Sequence, residues 1–318
     1  MSTLRRSSSS FGSYADGIVL RGMPILGLYP GNVYWVDSNG GGSSKGTFSS
    51  PVATLAERTA LCTANNGDYV MMKPGHAETI TGAGGITFDK AGVTYIGMGR
   101  YDSRPTFLMD GGTTVTCLVT AANVGIYNCK FIAGHSDIAT FSTISGKGCR
   151  FEGNYFGLNT TSENFVKIFT AGVADNDCDG LELIDNVADF RGDAGELLPF
   201  HVVKDSDDII IAGNKIYFDG DTSLFSAIYS HSDEIHYNCE ICWNQIHNLH
   251  NADALVGISF GSTGSTGFMH HNIVYALDTN AGTPFVSAAT GIAMWDNKYA
   301  HAANISAYQM PTLGTYSA

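Results

Sequence analysis

Apolar and polar residues alternate along this chain in short runs, and from about residue 120 the runs recur in step. Asn154, Asn186, Asn214, Asn244, Asn272 and Asn297 align at spacings of 32, 28, 30, 28 and 25 residues. Three residues before each stand Phe151, Leu183, Ile211, Ile241, Met269 and Met294, and two after each stand Phe156, Ala188, Ile216, Ile246, Val274 and Tyr299. Five before are Cys149, Leu181, Ile209, Cys239, Gly267 and Ile292. An earlier copy puts Cys129 in the Asn place, flanked by Val124, Ile126 and Phe131. Asn is 20 of 318 residues, so seven random slots should hold fewer than one, and six do. The repeat is too short for a propeller blade and lacks a leucine-rich signature. Period-2 apolar positions on both sides of the Asn describe two strands joined at a sharp bend. The bend residue must tolerate the left-handed region, which Asn does better than other non-glycines. Stacked coils would also let successive Asn amides hydrogen-bond in a ladder.

Upstream of the repeats, Val33–Asp37 reads as a strand and Ser38–Ser50 as a loop. Ser50 followed by Pro51 predicts a helix, with Ser as N-cap and Pro at its first position. It should run to about Ala64 and stop at Asn65-Asn66-Gly67. Tyr69–Met72 is the next strand, turned by Lys73-Pro74-Gly75. With the Asn repeat, these segments resemble the right-handed parallel β-helix (pectate-lyase-like) superfamily, whose members carry an internal Asn ladder. Tyr34-Trp-Val-Asp37, Ser50-Pro-Val-Ala-Thr-Leu55, Gly67-Asp-Tyr-Val70, Lys73-Pro-Gly-His76 and Val93-Thr-Tyr-Ile-Gly97 are similar to the opening of many such proteins, where a capping helix closes the first coil. The resemblance spans roughly residues 31–303 and implies an all-β, single-stranded parallel β-helix of about eight coils, with an N-terminal arm and a capping helix. The expected divisions are arm 1–30, strand and capping-helix segment 31–85, β-helix 86–303 and tail 304–318.

Composition narrows the functional classes. Thirty acidic against 17 basic side chains give a net charge of −13, which opposes nucleic-acid binding. No apolar run approaches 18 residues, since Arg21 interrupts the best candidate, so no membrane span is expected. The basic start lacks an apolar segment after it, and no signal peptide is expected. The seven Cys are scattered and odd in number, which predicts free, buried thiols. Cys239 and Cys242 lie three apart, so a strand would point them to opposite faces.

Candidate chemistry is sparse. Asp175-Asn-Asp177-Cys-Asp179-Gly180 reproduces the first half of a calcium loop, although the twelfth position is Asn186 and a full EF-hand is excluded. Asp177 with Asp205, and Asp179 with Asp207, hold equal offsets from the ladder and would stack roughly 4.8 Å apart on adjacent coils. Such pairs serve as a solvated acidic patch, a calcium site through Asp175, Asp177 and Asp179, or carboxylates for glycoside cleavage. The contiguous polygalacturonase motifs are absent, and a lyase base would have to be Lys204 or Arg191. His231, His236, His247, His250, His270 and His271 gather late in the chain and suit a hydrated surface or a subunit contact. No catalytic residue is assigned.

The form Pro74-Gly-His-Ala-Glu-Thr-Ile80 resembles virion proteins of tailed bacteriophages. That resemblance implies a capsid decoration (cement) protein on the virion surface, a homotrimer bound to the major capsid protein, with neither nucleic acid nor membrane as partner. The alternative is a tailspike that recognises or cleaves host polysaccharide. Residues 1–30 carry a net +2, leaving −15 on residues 31–318. They form the expected capsid-binding arm, with Arg5, Arg6 and Arg21 meeting acidic groups and Ile18, Leu20, Met23, Ile25 and Leu26 as apolar anchors.

Overall fold

The computed structural model describes residues 19–20, 23–24, 31–41, 45–191, 199–218, 226–248, 257–276, 286–288 and 290–301. Short strands of three or four residues wind through three sheets of ten, nine and eight strands, each neighbour in a sheet coming from the next coil. All pairings within these sheets are parallel, as in Phe151↔Leu183, Leu183↔Ile211 and Ile211↔Ile241. The chain is a parallel β-helix. The aligned apolar columns are registered columns of the core: Phe156↔Ala188, Ala188↔Ile216 and Ile216↔Ile246 continue the second of them. Gly267 lacks a side chain because a Cβ there would lie 2.1 Å from the Cys239 carbonyl oxygen.

One core of buried side chains runs from Val36 to Ile292. Phe107, Phe131 and Phe156 stack along it with centroids 5.3 and 5.5 Å apart. Dispersion between ring faces adds to the burial of these large side chains. Strands Val33–Val36 and Tyr69–Met72 already belong to the ten-stranded sheet, so the winding starts before residue 86.

The helix differs from expectation. It spans Leu55–Leu61, with Thr54 as N-cap and Glu57 completing a capping box. Ser50 instead bridges to Thr47, and Val52 bridges to Val36 as an extension of the sheet. The Ser-Pro pair therefore sits in strand-like chain, and the competing signal Thr54-x-x-Glu57 sets the start. Leu55 joins the same core as Val36 and Val70, and Arg58 is buried with its guanidinium 3.6 Å from the Tyr34 ring centroid.

The bend also differs. None of the six ladder Asn has positive φ. The preceding residue does: Gly153, Asp185, Gly213, Trp243, His271 and Asp296 have φ between 51° and 70°, and Asn128 before Cys129 has 55°. The Asn side chain is held by the coil interior, so the neighbour makes the turn. Asn154, Asn186, Asn214, Asn244, Asn272 and Asn297 are all buried, each giving its Nδ2 to a carbonyl one coil back, from Ile126 to Met269. Nδ2-to-Oδ1 bonds of 3.2, 3.1, 3.0, 3.0 and 2.9 Å join successive amides.

Candidate functional site

The acidic run does not form the calcium loop its spacing suggests. Asp177 folds back onto its own turn, accepting from the backbone amides of Val173 and Ala174 at 2.8–3.1 Å. Asp179 accepts from the Asp207 amide at 3.0 Å and pairs with Lys147 at 2.8 Å. Asp175 faces Lys204 at 3.9 Å. The three carboxylates thus point to three different partners. One coil further, Asp205 accepts from the Ile235 amide at 2.6 Å and Asp207 from the Tyr237 amide at 3.2 Å. Asp179, Asp205 and Asp207 each stitch one coil to the next through a backbone N–H. Asp175, Asp205 and Glu234 do approach one another within 4.8 Å, but Lys204 supplies the cation there, 3.2 Å from Glu234. That hydrogen bond raises the Lys204 pKa and holds its charge.

The core thiols are equally unavailable. All seven are free and buried, and burial pushes Cys62 up to about 11 and Cys178 up to about 12. Thiolate chemistry of these core thiols is therefore suppressed at neutral pH. Cys239 lies in the core while Cys242, three residues on, falls on the other face of the strand beside Glu240, its Sγ 3.5 Å from the carboxylate. His236 is buried, and burial lowers its pKa. Burial likewise lowers His247, which sits between Tyr217 and Tyr275 at centroid distances of 5.0 and 6.1 Å.

The most distinctive surface comes from the last coils. On the outer face of the ten-stranded sheet, Cys242 pairs with His270 and His270 with Trp295, while Glu240 pairs with Phe268. The turn beside them carries Trp243, His271 and Asp296. The Trp243 and His271 rings stack at 4.2 Å and 20°, and His270 and Trp295 at 4.4 Å and 14°. Phe268 meets Trp295 edge-on at 5.6 Å. Trp243, Phe268 and Trp295 are 58, 54 and 39% exposed. Large exposed aromatics grouped on one face mark a contact surface. Polar edges rim it: His270 lies 3.4 Å from Glu240, and His271 lies 3.5 Å from Asp296.

Trp243 is the anomaly. A left-handed residue at this turn is Gly, Asn, Asp or His in the other copies. A bulky side chain there is a genuine outlier, costing about 1–2 kcal/mol. Sequence reasoning missed this surface because its members come from three coils. The signal was present in the column one residue before the ladder, where Trp243 and His271 break a run of turn formers.

Of the expected arm, Val19–Leu20 and Met23–Pro24 form a two-stranded antiparallel hairpin, pairing Leu20 with Met23. Arg5, Arg6, Ile18, Arg21, Ile25 and Leu26 lie outside the described residues, as does the tail 304–318.

No protein-family model and no curated protein matches the sequence. Among solved structures, a rhamnogalacturonan lyase aligns with 88% of this chain and 89% of its own at 13% identity and a TM-score of 0.39. A GH136 lacto-N-biosidase from Eubacterium ramulus aligns with 84% of this chain and 67% of its own at 12% identity and a TM-score of 0.31. The parallel β-helix itself rests on the strand pairing of this chain, coil upon coil.

Proposed function

We propose that this chain is a non-catalytic β-helix that binds polysaccharide through the aromatic face built by Trp243, Phe268, His270, His271 and Trp295. The observation that carries the reading is Trp243, held exposed in a backbone conformation that a smaller residue would adopt at less cost. Backbone strain of this kind gathers at ligand-binding positions. Flat aromatic faces take the apolar C–H faces of pyranose rings, and the flanking imidazoles and carboxylates can hydrogen-bond hydroxyls. A surface with net charge of −13 behind it repels polyuronates, so a neutral glycan is the better ligand. The non-catalytic part is supported by the acidic pairs, whose oxygens are engaged with backbone amides and Lys147.

The test is binding of the full chain to a panel of neutral and acidic bacterial surface polysaccharides, with reducing-end release followed in parallel. Trp243→Gly and Trp295→Ala should each weaken binding at least tenfold. Undiminished binding by both variants would remove the aromatic face from the function, and release of reducing ends would overturn the non-catalytic reading.

A second reading, decoration of a bacteriophage capsid, is favoured by the hairpin Val19–Leu20/Met23–Pro24, which pairs with itself and with none of the three sheets. On this reading a basic arm clamps a trimeric acidic rod to the major capsid protein, and the rod presents the glycan face outward. Deleting residues 2–29 should leave a folded oligomer that no longer binds shells stripped of it. Normal decoration by the truncated chain would end the attachment role.

A further inference from the structure

The aromatic face contains a group of side chains with a second capacity besides glycan contact. Glu240 and Cys242 are two apart on one strand and share its outer face, and His270 is the direct partner of Cys242 on the next coil. The thiol sulfur, a carboxylate oxygen and an imidazole nitrogen lie within 4.8 Å of one another. We propose that Glu240, Cys242 and His270 form a divalent transition-metal site, best suited to zinc.

The spacing supports this directly. Zinc bonds of about 2.0–2.3 Å at tetrahedral angles put N and O ligands about 3.4 Å apart, and S and O ligands about 3.6 Å apart. Here His270 Nε2 stands 3.4 Å from Glu240 Oε1, and Cys242 Sγ stands 3.5 Å from the same oxygen. Two edges of a coordination tetrahedron are already set before any ion arrives. One sulfur, one nitrogen and one oxygen make a borderline-soft donor set, which disfavours calcium and magnesium. Three protein ligands leave the fourth position open to water or to a ligand hydroxyl.

A second feature of the same coils points the same way. His270 Nδ1 lies 2.9 Å from His271 Nδ1, and His271 Nε2 lies 3.5 Å from Asp296 Oδ2. With the His271 proton on Nε2, facing Asp296, His271 Nδ1 would accept from His270 Nδ1–H. That arrangement leaves the His270 Nε2 lone pair directed to the metal side. Metal-bound imidazoles are commonly oriented by such an outer hydrogen bond. Trp295, stacked on His270, fixes the ring from the other face. By contrast, the acidic trio Asp175, Asp205 and Glu234 is neutralised by Lys204 and offers only oxygen.

The site is distinct in its test from glycan binding, since Glu240 and Cys242 can be changed without touching an exposed ring. Full-length protein freed of metal is titrated with zinc and with cobalt(II). The expected result is one equivalent bound, with a thiolate-to-cobalt charge-transfer absorption in the near ultraviolet. Cys242→Ser should abolish that absorption and weaken zinc binding at least tenfold, and Glu240→Gln should weaken it about tenfold. Asp296→Asn, which keeps a residue suited to left-handed backbone, should weaken binding severalfold while leaving the melting temperature of the metal-free protein unchanged. Asp175→Asn should change nothing. Cobalt binding without the thiolate absorption, or zinc affinity equal in wild type and Cys242→Ser, would overturn the proposal, as would failure to bind either ion.

Discussion

Replacing Asn214 by Leu puts the ladder to a quantitative test. Its Nδ2 donates to the Leu183 carbonyl at 2.8 Å and to Asn244 Oδ1 at 3.0 Å. Its Oδ1 accepts the Asn186 backbone N–H at 3.0 Å and the Asn186 side-chain amide at 3.1 Å. Leucine fits the space but removes all four bonds. Asn186 Nδ2 keeps the Phe151 carbonyl, and Asn244 Oδ1 keeps the Asn214 backbone N–H, so both are weakened rather than stranded. The Asn186 backbone N–H loses its acceptor in a dry interior, at about 1–3 kcal/mol, and the lost side-chain pairs add about 1 kcal/mol each. Extra apolar burial by Leu returns about 1–2 kcal/mol. The net loss is about 2–5 kcal/mol. Urea unfolding should register it, and hydrogen exchange at the Asn186 amide should accelerate about 30-fold for 2 kcal/mol of local loss. Asn159, exposed and off the ladder, should accept Leu within about 0.5 kcal/mol. Equal destabilisation by the two substitutions, or unchanged exchange at Asn186, would refute the reasoning.

Trp243→Gly should leave stability within about 0.5 kcal/mol in urea unfolding, because glycine accepts φ of 59° freely but gives up the stacking on His271. The same variant should lose glycan binding, and a variant that loses stability instead would show that Trp243 is retained for packing. His201 is buried against Tyr229 and neither ring nitrogen has a partner among the described residues. Burial lowers its pKa from 6.5 to about 4, so the unfolded chain binds the proton first as pH falls. The stability this gives is present above pH 6.5 and lost as pH drops through about 4, by at most about 3 kcal/mol. His201→Phe should flatten that limb of the stability–pH curve, and an unchanged slope would clear His201 of the effect. Asp179→Asn keeps an acceptor for the Asp207 amide and should cost under about 0.5 kcal/mol, whereas Asp179→Ala should cost about 1 kcal/mol in the same unfolding assay.

The coil architecture was legible because each coil repeats the same demands. Positions such as Phe151, Leu183 and Ile211 must be apolar to fill the interior, and the Asn must be Asn to satisfy an inward-facing backbone amide. Those constraints recur at a readable spacing. The turn was misplaced by one residue because Asn meets two separate requirements, left-handed backbone and amide bonding, and composition alone does not say which applies. The helix start was misplaced because Ser50-Pro51 and Thr54-x-x-Glu57 both carry a start signal, and only strand pairing of Val52 with Val36 decides between them. The acidic run was read as a ligand set because spacing shows where carboxylates lie but not which amide each one accepts. For Asp177 that amide is in its own turn, and for Asp179 it is on the next coil.

The outer face of a β-helix carries few folding requirements, so departures from the cheapest residue there are informative. At the turn before the ladder Asn, the backbone favours Gly, Asn or Asp, and Gly153, Asp185, Gly213 and Asp296 comply. Trp243 and His271 do not, and they adjoin Cys242, His270 and Trp295 in register. Stacking of Trp243 on His271 adds about 0.5–1.5 kcal/mol. The left-handed strain of a tryptophan takes away about 1–2 kcal/mol. These terms nearly cancel, while more than half of the indole surface stays in water at 58% exposure. Packing within the chain therefore does not account for the residue, and a ligand that covers the exposed ring would supply the missing stabilisation. Phe268, 54% exposed and one coil on from Glu240, would extend the proposed ligand across at least two coils, which suits a chain of sugar rings better than a single small molecule.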